Sequence, residues 1–315
     1  MTGPKVPFVR VAEVWVPSPD EKQLTLACGQ YGPLTSFADT SKQTSFALGE
    51  GLPGKAWEAG HPIVYHSLKR PAFVREEAAA EAGLTCGVAI PVIKDTKTIA
   101  VLVLFCGDDT EHVGAIEIWH APLGFVDLKL FDGYFGTASR FEFQARHISF
   151  RSGFGLPGMT WQSNAPVIMD DLGRTKRFIR RDSAEQAGIT RGLGLPVQSK
   201  LPGMWVLAFL SALGTPIADR FEIWQVVEDG SALAFQSGLC ESGSDLNAAY
   251  SGLKIRADDT ALGRMLQQGI PLLADDLEKE VSPVAESCAT ANLSRMVALP
   301  IYSGSQMTSV VTWYN

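Results

Sequence analysis

The chain is written as short apolar runs punctuated by turn residues. Residues 9–16 and 23–28 flank Pro17-Ser18-Pro19-Asp20, which reads as two strands joined by a turn. After a polar loop, residues 53–58 read as a short helix stopped by Gly60, and residues 62–65 as an apolar strand. Residues 73–82, rich in alanine with Glu76, Glu77 and Glu81, form a helix pattern closed by Gly83. Two further β-rich runs, 85–93 and 98–105, follow around a polar turn at 94–97.

This pattern recurs. Glu13-Val14-Trp15 returns as Glu117-Ile118-Trp119 and as Glu222-Ile223-Trp224, at offsets of 104 and 105 residues. The same offsets connect Gly54, Gly158 and Gly263, then Pro62, Pro166 and Pro271, then Leu68, Leu172 and Leu277. With the order of offsets reversed, they connect Pro91, Pro196 and Pro300. A period this long is a whole domain, well above the roughly 20–50 residues of a solenoid repeat. Three copies fill the 315 residues, with boundaries expected at 1–110, 111–217 and 218–315. Each copy is expected to be α+β, a mainly antiparallel sheet with helices on its long connection. The seven residues 107–113 between the first two copies leave room for little more than a turn, so terminal helices should be reduced or absent. Residues 1–8, with Pro4 and Pro7, cannot supply a long helix either.

Composition narrows the classes of function. With 46% hydrophobic and 19% charged residues, the chain has material for packed cores and lacks the signature of disorder. The net charge of −7 and the absence of a basic run argue against nucleic acid or anionic lipid as partners. No apolar stretch approaches the roughly 20 residues of a membrane helix, and the first residues carry no signal-peptide core, so the expectation is a cytoplasmic protein. The five cysteines, Cys28, Cys86, Cys106, Cys240 and Cys288, are scattered and odd in number, and read as reduced thiols. His61, His66, His112, His120 and His147 include no pair four apart, so no metal face is visible and no metal is expected.

At this point the residues resemble a known family, the GAF domain. In the second copy the resemblance runs through Gly155 to Gly158, Ala165 to Asp171, Arg177-Phe178 with Asp182, Gly188 to Arg191, and Leu195-Pro196. The first copy repeats Gly51, Gly54, Phe73, Gly83 and Pro91, with His66-Ser67 in place of Asp170-Asp171 and Cys86 in place of Arg191. The third is more diverged, with Asn292 for the glycine, and keeps Asp275-Asp276 and Arg295. The resemblance implies sensory or regulatory modules with a small-molecule cavity between the sheet and its helical connection.

Mapped onto that cavity, the candidate ligand-binding residues are Asp171, Phe178, Asp182 and Arg191, then Asp276 and Arg295, then Phe73 and Cys86. Two carboxylates, an aromatic ring and a guanidinium suit a small polar ring or an anion. Each has a structural alternative: Asp171 as a cap, Phe178 as core, Asp182 paired with Arg180 or Arg181 on a solvated face, and Cys86 as a small buried hydrophobe. On this mapping copies two and three keep polar pockets and copy one has changed its own.

Other motifs carry less. Gly49-x-Gly51-x-x-Gly54 and Gly153-x-Gly155-x-x-Gly158 match a dinucleotide fingerprint but precede no clear βαβ unit, and residues 174–177 supply a basic stretch instead of an acidic strand end. They read as a turn leading into a short helix. The phosphate-loop reading fails because Ala56 has no hydroxyl and Met159 replaces the lysine, so no cofactor is expected. Three functions stay open: a non-catalytic sensor that binds a small ligand and signals through a separate partner, a thiol-dependent reductase centred on Cys86 like the GAF relatives that reduce free methionine sulfoxide, and a structural scaffold.

Strands 100–105 and 204–210 are apolar on both faces, so something must cover the second face of each sheet. Glu and Trp of the repeated triplet lie two apart and point the same way. Two placements follow: the three sheets pack on one another through that Glu-x-Trp face, or each Trp sits in its own unit's core.

Overall fold

The computed structural model describes residues 7–69, 73–107, 114–173, 178–212, 215–258 and 260–315. The expectations for residues 1–6, for the linker at 108–113, for His112 and for the basic stretch 174–177 with Arg177 lie outside the described residues.

Three antiparallel six-stranded sheets follow one another along the chain. The first unit runs β1 (Val9–Pro17), β2 (Gln23–Gln30), β3 (Ser45–Ala47), β4 (Ile63–Tyr65), β5 (Cys86–Lys94) and β6 (Lys97–Cys106), in spatial order β3-β2-β1-β6-β5-β4. The second repeats it with β7 (Gly114–Pro122), β8 (Asp127–Tyr134), β9 (Ser149–Arg151), β10 (Val167–Met169), β11 (Ile189–Val197) and β12 (Gly203–Ala212). The third has β13 (Arg220–Val227), β14 (Ala232–Cys240), β15 (Lys254–Arg256), β16 (Leu272–Ala274), β17 (Met296–Ser303) and β18 (Gln306–Tyr314).

The helices lie on the long connections, and their glycines explain the spacing. Gly51–Ala59 and Gly155–Ser163 are helical where the glycine pattern predicted a turn into a helix. A Cβ on Gly54 would lie 2.2 Å from the carbonyl oxygen of Ala47, and one on Gly158 2.1 Å from that of Arg151, so only glycine lets this helix press on the preceding strand. Gly83, Gly188 and Asn292 all turn through positive φ at the end of the later helix, and asparagine is the side chain that tolerates this best. That later helix is shorter than predicted in the first unit, Glu76–Glu81, with Phe73 ahead of it. The predicted polar loop holds a helix, Thr35–Lys42, and the edge strand β3; Ser and Thr dominate that helix, so no apolar period announces it.

The Glu-x-Trp face belongs to each unit's own core. Trp15 packs with Phe37, Phe46 and Phe73, Trp119 with Phe141, Phe150 and Phe178, and Trp224 with Leu262, Met265 and Val284, all under their own unit's helices. The reading in which the sheets meet through Glu-x-Trp is therefore corrected. Alternation sends the intervening residues to the opposite face, and Val14, Ile118 and Ile223 all enter one core that draws on the three sheets. Pro91, Pro196 and Pro300 converge there around a void of about 20 Å³. Each stands beyond the short pairing of its strand with β4, β10 or β16, where a missing N–H costs no ladder bond.

Contacts between units close a ring: β4 meets β8, β10 meets β14, and β16 meets β2. Three seams result, which we number by the unit that leads into each.

Candidate functional site

Inside each unit the space between sheet and helices is filled by a buried charge network. Glu13 is sealed from solvent; it accepts from Trp15 Nε1 at 2.9 Å, from Tyr31 Oη at 3.1 Å, and from Arg75 through both guanidinium nitrogens at 2.7 and 3.1 Å. Arg75 lies over the Phe37 ring, 4.7 Å from its centroid. Glu117 repeats this with Trp119 at 2.9 Å and with Arg180 at 2.5 and 2.7 Å, the guanidinium resting 4.1 Å from the Phe141 centroid. The fork of arginine matches a carboxylate in two bonds, which makes such a pair affordable without water.

The third unit solves the same problem with different residues. By the repeat offsets, Arg75 and Arg180 correspond to Val284, which is fully buried, while Val11 and Ala115 correspond to Arg220. The cation has moved from the helix to the strand. Glu222 accepts from Trp224 Nε1 at 3.0 Å, Tyr250 Oη at 2.9 Å and Tyr314 Oη at 2.7 Å, with Arg220 at 3.5 Å. Burial raises the Glu222 carboxyl above its usual range. Arg220 also donates to Cys240 Sγ at 3.3 Å and Cys288 Sγ at 3.6 Å. Burial pushes the Cys288 thiol up to about 12. At Cys240 burial raises the thiol, but bonds from Ser242 and Arg220 outweigh it and lower it overall.

The residues expected around a ligand are distributed otherwise. Phe73 and Phe178 are core rings beneath the arginines. Asp182 is exposed, 3.7 Å from Arg181. Asp171 opens the polar connection after β10. Asp276 caps the turn at Leu277–Lys279 through Glu278 N and pairs with Lys279 at 2.8 Å. Cys86 is fully buried in the shared core, opposite Cys106 across β5 and β6. Asp276 and Arg295 line different cavities: the first, of about 190 Å³, also carries Asp275 and Glu278. The pocket set of the second unit is thus not assembled, because Phe178 is spent on packing, Asp182 faces water and Arg191 is turned to a neighbour.

Arg191 crosses the second seam, its Nε 3.2 Å from Oε1 of Glu241. Both side chains are mostly buried, and burial raises the Glu241 carboxyl while Arg191 opposes that. The first seam is joined by His66 Nε2 and Asp132 Oδ1 at 2.9 Å. At the third seam Gln30 Nε2 donates to the carbonyls of Ala274 and Met296 at 2.7 and 3.2 Å.

The third seam holds a cavity of about 280 Å³ between β1–β2 and β17–β18. Val9, Val11, Val297 and Trp313 supply its apolar wall, and Arg10, Tyr31, Arg295 and Asn315 its polar part. Among the described residues the Arg295 guanidinium has no hydrogen-bond or ion-pair partner, and Trp313 Nε1 and Asn315 Oδ1 are buried without one. The sequence mapping puts Arg295 with Asp276 between a sheet and its helices, whereas the structure places it at the seam; nothing in the sequence pointed to Trp313 or Asn315.

Residues 9–119 match a family model described as a GAF domain. No curated protein matches the chain. Among solved structures it is similar to the A. Aeolicus nlh2 GAF domain in an inactive state, at 21% identity over 32% of this chain and 59% of that one, TM-score 0.26. It is also similar to free methionine-R-sulfoxide reductase from Neisseria meningitidis with its substrate, at 19% over 31% and 52%, TM-score 0.25. A third is the GAF domain of a phosphoenolpyruvate-protein phosphotransferase from Coxiella burnetii, at 18% over 31% and 56%, TM-score 0.26. These matches span between half and three fifths of those chains. The chain carries three tandem GAF-like units, of which the first matches the family directly.

Proposed function

We propose that this protein is a non-catalytic regulatory protein of GAF type, which binds a small anionic molecule at its third seam and signals through a separate partner. The observation that carries this reading is Arg295, whose guanidinium has no ion-pair or hydrogen-bond partner among the described residues, at the edge of a cavity large enough for a small molecule. A guanidinium in a partly dry site is stabilised by an anion far more than one in water. The seam joins the first and last units of a ring, so a ligand there bears on strands of both and biases how firmly the ring closes. Among the described residues the buried Glu–Arg–Trp networks take the space between sheet and helices in the first two units, and the third unit's own cavity is lined by the carboxylates Asp275, Asp276 and Glu278, the wrong charge for an anion; both support placing the site at the seam.

The reductase alternative centres on Cys86, and its burial in the shared core favours the non-catalytic reading. No helix among the described residues is long and apolar enough to cross a membrane; we place the protein in the cytoplasm. The test is thermal unfolding with a panel of small anions. A ligand at a hundred times its dissociation constant stabilises by about 2.7 kcal/mol, a shift of a few degrees. The midpoint should rise for the natural chain and stay fixed for Arg295→Gln. A rise that Arg295→Gln leaves intact sinks the assignment.

A further inference from the structure

The three seams are near-copies, so what one lacks can be read from another. At the second seam Arg191 is answered by Glu241 at 3.2 Å. The repeat offsets put Arg295 in the place of Arg191 and Gly32 in the place of Glu241. The third seam therefore has the arginine and lacks the carboxylate. Its guanidinium stands beside the vacancy: a Cβ built on Gly32 would meet Arg295 Nη1 at 3.0 Å. The third seam instead holds the cavity of about 280 Å³, lined by Arg295 and by Tyr31 and Pro33 on either side of Gly32.

Resting on the reading of this seam as a ligand site, we infer that its ligand is a small organic carboxylate whose carboxylate sits on Arg295 as that of Glu241 sits on Arg191. The remainder of the cavity fits such a molecule. Val9, Val11, Val297 and the Trp313 ring offer an apolar wall for a short hydrocarbon or aromatic body. Asn315 and Trp313 also line the cavity, and Asn315 Oδ1 and Trp313 Nε1 are buried without a hydrogen-bond partner among the described residues. A bare inorganic oxyanion would satisfy Arg295 and leave the apolar wall uncovered. At about 280 Å³ the space lies at the small end of ligand sites, which limits the molecule to on the order of ten non-hydrogen atoms.

Titration calorimetry on the full chain tests this with acetate, succinate and benzoate against inorganic phosphate and nitrate. At least one carboxylate should bind with one site per chain, and Arg295→Gln should weaken it roughly tenfold to a hundredfold, the effect of losing a charged hydrogen-bond pair. Gly32→Asp, at a positive φ that aspartate tolerates, should tether a carboxylate beside Arg295 and abolish binding, with thermal unfolding confirming that the variant folds. Arg191→Gln should bind as the natural chain does. Binding of phosphate or nitrate that depends on Arg295, with no carboxylate bound, overturns the carboxylate inference and leaves the third-seam reading standing. Carboxylate binding indifferent to both Arg295→Gln and Gly32→Asp, or no binding of any of the five probes, overturns both.

Discussion

Arg75 reaches across the first unit to hold Glu13 by two hydrogen bonds, 2.7 and 3.1 Å long, with both side chains shut off from water. Removing one partner leaves the other charge buried and unanswered, which costs about 3–5 kcal/mol in such pairs. Arg75→Met should lower unfolding free energy by that amount in urea titration. Adding Glu13→Gln to it should recover a substantial part, because the orphaned charge is gone. A single variant within about 0.5 kcal/mol of the natural chain would show that the pair does not hold the unit.

The third unit's exchange of Val284 and Arg220 for an arginine on the helix and a small residue on the strand can be reversed by mutation. Arg220→Val and Val284→Arg should each destabilise, the first by orphaning Glu222 and the second by crowding a fully buried site. Together they recreate the arrangement of the first two units. The double variant should be more stable than the sum of the singles by about 1–3 kcal/mol, measured as a double-mutant cycle. Simple additivity would refute the equivalence of the two positions.

Gly158→Ala would drive a methyl group to within 2.1 Å of the Arg151 carbonyl oxygen, a backbone atom that cannot step aside. We expect a loss of about 2–4 kcal/mol by chemical denaturation. Gly173→Ala, whose methyl would meet, among the described residues, only Asp171 Oδ1 at 3.4 Å, should stay within about 0.5 kcal/mol. Comparable losses at the two positions would remove close approach as the reason for the repeated glycine.

At the first seam the bond to Asp132 raises the His66 imidazole above its ordinary value. A raised folded value means that folding favours the protonated ring. The stabilisation is complete below the unfolded value near 6.5 and disappears as pH rises through the folded one. Because both side chains are partly exposed, it should amount to less than about 1 kcal/mol. Asp132→Asn should therefore lower stability at pH 5.5 and leave it unchanged at pH 8.5. A deficit of equal size at both would mean that charge plays no part in this seam.

Much of the fold was legible because the repeat wrote it three times. Each Glu-x-Trp triplet, each helix-packing glycine and each strand proline kept its register, so strands β1, β2, β5 and β6 and their copies lie within a few residues of the apolar runs that announced them. Alternation told that Glu13 and Trp15 share a face but not what covers it, since an apolar ring and a carboxylate suit a core only once Arg75 is known to arrive from a helix 62 residues away. The arginines were hidden for the same reason: Arg75 and Arg180 open short helices and read as ordinary surface charges, though they are almost wholly buried. The site was half legible. Arg295 stood out by its place in the repeat, but what makes it notable is the glycine opposite, and that pairing exists only after the ring has closed.

The location of the ligand decides the matter most directly. A crystal structure of the full chain, grown with the tightest-binding anion from the titrations, should show that molecule at the third seam, its charged end on Arg295 and its body against Val297 and Trp313. Ligand density enclosed between a sheet and its own helices, beside Phe178 or Phe73, would contradict the proposal.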